Sequence, residues 1–452
     1  MTLLNELSAE VCQRARMSRD PRFDGRFFVA VKTTGIFCRP ICPANLPKEE
    51  NVEYFSSQAL AVSAGYRPCL RCRPESAPHS WAWKGAETTF LRALTLIEQG
   101  ELDGSLETLA SRLGISDRYL RQLFQRHLGM PPKQYAQIQQ LMFAKQLLHT
   151  SQISITEVAY ASGFQSTRRF NDAFQKLFRL TPTQVRRERA ALPSRNHLSL
   201  AFRGPFDWAH MLDFYRLRAI EGMELVDEQS YQRHFVLGEG TGWFKASMAQ
   251  SHLDIEFEME RLSDLRHLVA RLRRMFDLDA DLISIEAHLE QLAPGLVRRT
   301  GIRIPGVWNA WEAGVRAVLG QQVSVKAAIG QLNLLVSTLA ASEGSTRYFP
   351  TPEQVQMCDL SFLRMPERRK ETLKRLADYV RLHPMDSPMA WLSLSGIGPW
   401  TVDYAQLRGE SRSHCFLTGD LIVKKALAKF PQLTAESVAP WGSYATFHCW
   451  SH

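Results

Sequence analysis

"LSLSGIGPWTVDYAQLRGE" (residues 392–410) carries the densest signal in the chain. Gly396 and Gly398 flank an isoleucine between two stretches of helical spacing. Glycine lets a backbone turn tightly, and a tight turn between helices exposes N–H groups to a phosphate. The stretch therefore reads as a helix-hairpin-helix. Trp400 and Tyr404 follow one helical turn apart and project from one face. Asp420 comes next, in "HCFLTGDLIVKKAL" (414–427). Out of context it reads as the N-cap of the apolar run behind it.

Outward from the hairpin, the strand and helix pattern divides the chain. Its 452 residues suggest about three domains. Hydrophobic residues make up 45% and charged residues 22%, enough to build ordinary cores. From about 263 onward the spacing is helical. Before it, "HLSLAF" (197–202), "RHFVLGEGTGWFKASMA" (233–249) and "HLDIEFEME" (252–260) alternate apolar and polar residues, as strands do. "RAALPSRN" (189–196) is basic and proline-broken, a candidate boundary. Residues 85–188 read as helices, and "PESAPHSWAWKGAET" (74–88) as a linker. The expected division is 1–78, 85–188, 197–280 and 281–452. The fold class is multidomain α+β. It comprises a small cysteine-bearing N-terminal domain, an all-α double helix-turn-helix, a small antiparallel α+β domain and an all-α hairpin domain.

The net charge of +9 favours an anionic partner, nucleic acid first and anionic membrane second. No apolar run approaches the ~20 residues of a membrane span. The start, "MTLLNELSAEVCQRARMSRD", lacks the basic, apolar and small-residue order of a signal peptide. The expected location is cytosolic, where thiols stay reduced, so the 8 cysteines suggest metal or chemistry before disulfides.

Four of those cysteines form two close pairs. Cys38 and Cys42 lie in "GIFCRPICP" (35–43), and Cys69 and Cys72 in "YRPCLRCRPE" (66–75). Two thiol pairs across a loop make a tetrahedral four-sulfur site, which favours one zinc ion. Such a site is usually structural. Arg39, Arg67, Arg71 and Arg73 surround it and could hold phosphates or simply form a solvated face. Cys12, Cys358, Cys415 and Cys449 have no partner spacing and read as core or surface thiols.

The helical middle repeats one plan. In 106–135, Leu106, Leu109, Ala110 and Leu113 form a stripe, Gly114 turns, and Ser116 caps the next helix. In 155–187, Val158 and Ala159 face inward, Gly163 turns, and Ser166 or Thr167 caps a helix bearing Phe170, Phe174 and Phe178. A recognition helix presents its first residues to base edges. The candidates are Asp117, Arg118, Arg121 and Gln122, then Gln165, Thr167, Arg168 and Arg169. The arginines could equally touch only phosphate.

Three resemblances assign roles. "DPRFDGRFFVAVKTTGIFCRPICPA" and "SSQALAVSAGYRPCLRCRPE" resemble the N-terminal domain of Ada-type adaptive-response regulators, over roughly residues 10–75. That resemblance implies that Cys38 accepts a methyl group from DNA methylphosphotriesters. The paired helix-turn-helix units, closing on "FRLTPTQVRR", resemble the AraC-type DNA-binding domain, with Arg179 where glycine is usual. The hairpin, Asp420 and "WEAGVRAVLGQQVSVKAA" (311–328) resemble AlkA-type DNA glycosylases over about 197–452. This last implies Asp420 as catalytic carboxylate and Trp400, Tyr404 and Trp450 as a pocket for alkylated purines. It also implies that Gln321 or Gln322 fills the gap left by the flipped base. One enzyme of that family has leucine at the second of these positions. In lyase-type relatives a lysine stands where Trp400 does, so a monofunctional glycosylase is expected. The hairpin could also hold a monovalent cation.

The expected protein is a bacterial fusion of an alkylation sensor and transcription activator with an excision-repair glycosylase. The expected partners are alkylated and promoter double-stranded DNA and RNA polymerase. No membrane is involved, and the protein is expected to act as a monomer at the nucleoid. The alternative is a regulator whose glycosylase-like half is only a DNA-binding scaffold.

Overall fold

Alternation along "FFVAV" and "GIFC" builds the first sheet. A computed structural model describes residues 8–20, 23–56, 58–69, 71–72, 74, 81–98, 100, 102, 105–187, 196–339, 346–384 and 386–451. Two compact units divide it, residues 1–137 and 138–452. The boundary falls within the helix Pro132–Thr150, so the two helix-turn-helix units belong to different compact units.

In the first unit, strands β1 (Phe28–Val31), β2 (Ile36–Cys38), β3 (Val52–Phe55) and β4 (Arg67–Pro68) run in the order β3-β1-β2-β4. Successive residues of β1 serve opposite faces. Val29 packs with Cys12, Ala15 and Phe27, while Phe28 and Ala30 pack with Phe37 and Ala61. Cys12 is thus a core thiol. The stretch read as a linker differs: a helix begins at Trp81 and runs to Glu98. The proline–serine cluster ends at Ser80, and alanine, lysine and glutamate then favour helix. Asp117–Leu128 is N-capped by Ser116 and ends at Gly129 in the left-handed region.

In the second unit, Ile155–Ala161 starts in a capping box of Ser154 and Glu157, and Ser166, not Thr167, caps Thr167–Phe178. Arg179 takes the left-handed conformation, φ 59°, that Gly129 takes in the first unit. At this position arginine carries about 1–2 kcal/mol of steric strain that glycine would not. The boundary read at 189–196 lies outside the described residues, Asn196 excepted.

The second sheet is antiparallel: β5 (His197–Ala201), β6 (Glu224–Val226), β7 (Ser230–Leu237), β8 (Gly240–Met248) and β9 (His252–Met259), in the order β5-β9-β8-β7-β6. Tyr231, Phe235, Phe244, Ile255 and Phe257 face the core, against the helices Trp208–Arg216 and Leu265–Met275. The same face carries a buried charged pair, Arg233 on β7 and its cross-strand neighbour Glu224 on β6. Arg233 is 1% exposed and donates to Glu224 at 3.0 Å and to Glu312. Arg316 completes the square, 2.9 Å from Glu312 and 3.1 Å from Glu224. Burial alone would raise Glu312, but the two guanidiniums hold it well below the usual carboxylate range. Removing one partner of such a buried set costs about 3–5 kcal/mol. The square ties the sheet to the helix Ala310–Gly320, which leads directly to Gln321 and Gln322.

Candidate active site and metal centre

Asp420 does cap a helix. It is the N-cap of Leu421–Leu427 and accepts from the N–H groups of Ile422 at 2.9 Å and Val423 at 3.2 Å. A third donor, Trp450 Nε1, reaches the same oxygen, Oδ1, at 3.1 Å. Capping and a second task are therefore compatible: one oxygen is held and the carboxylate is fixed in direction. It lines a cleft of about 470 Å³ together with Trp400, Tyr404, Trp450, Phe214 and Arg218.

The rings in this cleft are ordered. Trp400 and Tyr404 stack at 5.3 Å and 25°, as their spacing requires. Trp450 lies nearly parallel to Phe214, with centroids 6.2 Å apart. Tyr404 accepts from Arg408 at 2.8 Å, and Arg408 is buried over the Phe214 ring at 4.7 Å. No lysine lines the cleft among the described residues, and Lys424 and Lys425 are exposed.

The hairpin needs its two glycines differently. Gly396 has φ 92°, and a Cβ there would meet Thr372 Oγ1 at 2.1 Å. Gly398 does not turn the chain: it is extended, φ −113° and ψ 177°, faces open space and precedes Pro399 at the start of Pro399–Glu410. Both glycines were expected to make the turn; only Gly396 does. Gly396→Ala should destabilise the second unit by about 2–4 kcal/mol, from left-handed strain plus overpacking. Gly398→Ala should melt with the wild type. Thermal unfolding of the two variants checks the contrast.

The two glutamines also separate. Gln321 Nε2 donates to the Gly396 carbonyl at 3.1 Å and to Thr401 at 3.2 Å, so it braces the hairpin. Gln322 is exposed, at φ 56°, between Ala310–Gly320 and Val325–Leu339. A non-glycine residue held there stores strain of order 1–3 kcal/mol. At the hairpin the carbonyls of Gly396 and Leu394 each accept one hydrogen bond, from Gln321 and Ile397, and each keeps a second lone pair.

In the first unit, β2 delivers Cys38, the turn behind it delivers Cys42, and Cys69 and Cys72 follow β4, where Cys69 N–H bonds to Phe37 O at 3.0 Å. The four sulfurs lie within 4.8 Å of one another. Zinc–sulfur bonds of about 2.3 Å set tetrahedral sulfurs about 3.8 Å apart, so the donor set fits zinc. Cys38 is pushed well up by its hydrogen bond to Cys72 and by burial, and Cys72 is drawn down to about 5 by accepting that bond. Sulfurs so placed suit a cation. Cys38 is partly exposed and Cys42 buried.

Arg39 departs from its expected place at phosphates. It makes two contacts with the Asp24 carboxylate, one at 2.8 Å, and donates to Cys72 O at 3.3 Å, while its backbone N–H points at Cys72 Sγ at 3.4 Å. The Asp24 carboxylate thus holds the guanidinium in place beside the four sulfurs. Arg67 and Arg71 are exposed, and Arg73 lies outside the described residues. Arg118, Gln122, Gln165, Arg168 and Arg169 are exposed and Thr167 half-buried. Arg121 is paired with Asp117 at 3.0 Å, one turn back on its helix.

Phe214, Arg218, Arg408 and Thr372 were not singled out from sequence. Only Arg408 offered a signal, four residues after Tyr404 on one helix face.

The family models that match are the metal binding domain of Ada over residues 11–75, a helix-turn-helix domain over 109–188 and the AlkA N-terminal domain over 197–309. The "probable bifunctional transcriptional activator/DNA repair enzyme AlkA" of Mycobacterium tuberculosis is 34% identical, across 98% of this chain and 96% of its own. "DNA-3-methyladenine glycosylase 2" of Escherichia coli is 33% identical across 56% of this chain and 96% of its own. The "bifunctional transcriptional activator/DNA repair enzyme Ada" of Escherichia coli is 35% identical across 38% of this chain and 47% of its own. With the four-sulfur centre, the paired helix-turn-helix units and the aromatic cleft in one chain, matched end to end, this protein belongs to the family of AlkA-type bifunctional transcriptional activator/DNA repair enzymes.

Proposed function

We propose that the chain senses DNA alkylation with its first part, activates transcription with its second, and excises alkylated purines with its last. The observation that carries the glycosylase reading is a carboxylate fixed by three N–H donors inside an aromatic cleft. Breaking an N-glycosidic bond builds positive charge on the sugar, and a fixed carboxylate stabilises it. A cationic base such as 3-methyladenine or 7-methylguanine gains ~0.5–2 kcal/mol over electron-rich rings, here Trp400, Tyr404 and Trp450. Gln322, at the exposed turn, fills the stack, and Gln321 holds the hairpin that binds phosphate. These interactions, with the recognition-helix side chains and Arg67 and Arg71, would place the chain on double-stranded DNA.

Bound zinc would keep the cysteines as thiolates. Cys38 Sγ then attacks the methyl carbon of a phosphotriester. The S–C bond forms, the C–O bond breaks, and the phosphodiester leaves with the electron pair. A neutral triester can approach a centre that repels ordinary phosphodiesters. The proposed domain limits stay at 1–78, 85–188, 197–280 and 281–452. RNA polymerase contact, the monomeric state and a nucleoid location belong to this proposal too. Among the described residues no helix is long and apolar enough to cross a membrane.

Incubation with methylated DNA, followed by assay of free bases and of methyl on Cys38, tests both activities. Base release without Cys38 methylation would leave only the glycosylase; neither product would remove the proposal. The scaffold alternative predicts binding without release. We also propose that the enzyme is monofunctional, because Trp400 cannot form an imine. Borohydride added during base release should trap no covalent DNA adduct on a denaturing gel. Efficient trapping would point instead to Lys424 or Lys425.

A further inference from the structure

Three arginines line the cleft, and two are committed. Arg299 is 2.6 Å from Asp207, and Arg316 is held by Glu224 and Glu312. Arg218 has no carboxylate partner among the described residues. Its Nη1 donates only to a carbonyl of its own segment, Phe214 O at 3.2 Å, and its guanidinium lies 3.7 Å over the Phe214 ring. The backbone that carries it is pinned, because Arg316 Nη1 donates to the Arg218 carbonyl at 2.9 Å. An unpaired fork of donors, anchored at its base, faces the space that holds Asp420, Trp400 and Trp450.

A cation is an odd feature in a cleft for cationic bases. Burial lowers its pKa only to about 10, so it stays charged at neutral pH. The site already takes up the cation–π capacity of Phe214 with Arg218 and Arg408. What the guanidinium still offers is hydrogen bonds to an acceptor. Alkylated guanine presents a carbonyl oxygen where alkylated adenine presents an amino group. The first accepts from a guanidinium; the second confronts it with another donor and leaves both unpaired, which costs binding.

We propose that Arg218 is a specificity-determining residue of the cleft, donating to the carbonyl oxygen of the departing base and so favouring guanine-type over adenine-type lesions. The inference rests on the glycosylase reading above. In the reaction the glycosidic bond breaks and its electron pair goes to the base nitrogen. The cationic base leaves neutral, water adds its oxygen to C1′, and one proton is released to solvent. Electron density on the base carbonyl rises during that departure, so the Arg218 bond strengthens as the bond breaks.

The test uses the full chain and one DNA sample, methylated so that it holds both 7-methylguanine and 3-methyladenine. Both free bases are quantified from the same reaction, so the ratio is internally controlled. Arg218→Met should lower the ratio of 7-methylguanine to 3-methyladenine released by about tenfold or more, the loss expected for a hydrogen bond from a charged donor. An unchanged ratio overturns the inference while leaving the glycosylase reading intact. Absence of both bases with the wild type overturns both. Should Arg218→Met melt well below the wild type, Arg218→Lys carries the test. It keeps the charge without the fork, so the ratio should fall several-fold; a wild-type ratio there overturns the inference equally.

Discussion

Asp420→Asn should cut the release of 3-methyladenine from methylated DNA by about 10²–10³-fold, the usual loss when a transition-state charge stabiliser is removed. The variant is informative because the structure gives Asp420 two jobs. Asparagine is as good an N-cap as aspartate. Its carbonyl oxygen can still accept from Ile422, Val423 and Trp450, the three donors that now converge on Oδ1. The variant therefore keeps the helix start and the aromatic wall while losing the negative charge. Its melting temperature should match the wild type, and its affinity for DNA should hold or rise, since a carboxylate no longer faces phosphates. Asp420→Ala separates the jobs from the other side. It should lose as much rate and also ~0.5–2 kcal/mol of stability with the cap. Single-turnover base release, measured beside thermal unfolding, decides the matter. Wild-type release by the asparagine variant would leave Asp420 a cap and nothing more.

The two roles of Asp420 also show what was legible before the structure. The hairpin and Asp420 stand close in sequence, and so do Trp400 and Tyr404, so local spacing carried them. Four of the five strands of the second sheet followed from alternation, because one face of that sheet is buried, while the three-residue β6 is too short to show a period and was not read. Phe214 and Arg218 were invisible. Phe214 comes from the helix Trp208–Arg216 after β5 and Arg218 from the turn that follows it, far from the hairpin in sequence, and only folding brings them to the cleft. Pattern reading finds residues that share an element, and a pocket wall assembled from distant elements has no period. Arg39 went astray for a related reason. It sits between two metal-ligand candidates in a basic run, which invites a phosphate role, yet its counter-charge, Asp24, lies in a different turn. The choice between Gln321 and Gln322 needed the backbone. Two identical side chains differ only in that one bonds Gly396 and the other sits at positive φ.

Cys38→Ala should abolish methyl uptake from methylphosphotriesters and leave base release intact, because the four sulfurs belong to the first unit and the cleft to the second. Cys42 is buried and Cys69 continues the β4 pairing, so Cys69→Ala should lose zinc and the fold of its domain instead. Cys38 stands at the strand end and is partly exposed, as a reacting sulfur must be. Its methylation turns a thiolate into a neutral thioether. With four thiolates on a dication, the formal charge of the centre goes from about −2 to about −1. Arg39 cannot offset the difference, since Asp24 already holds it. Near a phosphate, and inside the ~8 Å screening length of physiological salt, that change removes repulsion. At an effective dielectric of ~20–80 one charge several ångströms away is worth roughly 0.5–3 kcal/mol, about twofold to a hundredfold in affinity. The helix-turn-helix pair then supplies sequence preference, and the methylated centre the added grip. Promoter affinity before and after methylation, followed across a salt series, is the discriminating measurement. The methylated form should bind tighter, and the gap should narrow as salt rises. Equal affinity at every salt concentration would end the charge-switch account even with Cys38 as the proven methyl acceptor, and a gap independent of salt would assign the gain to contacts made by the methyl group itself.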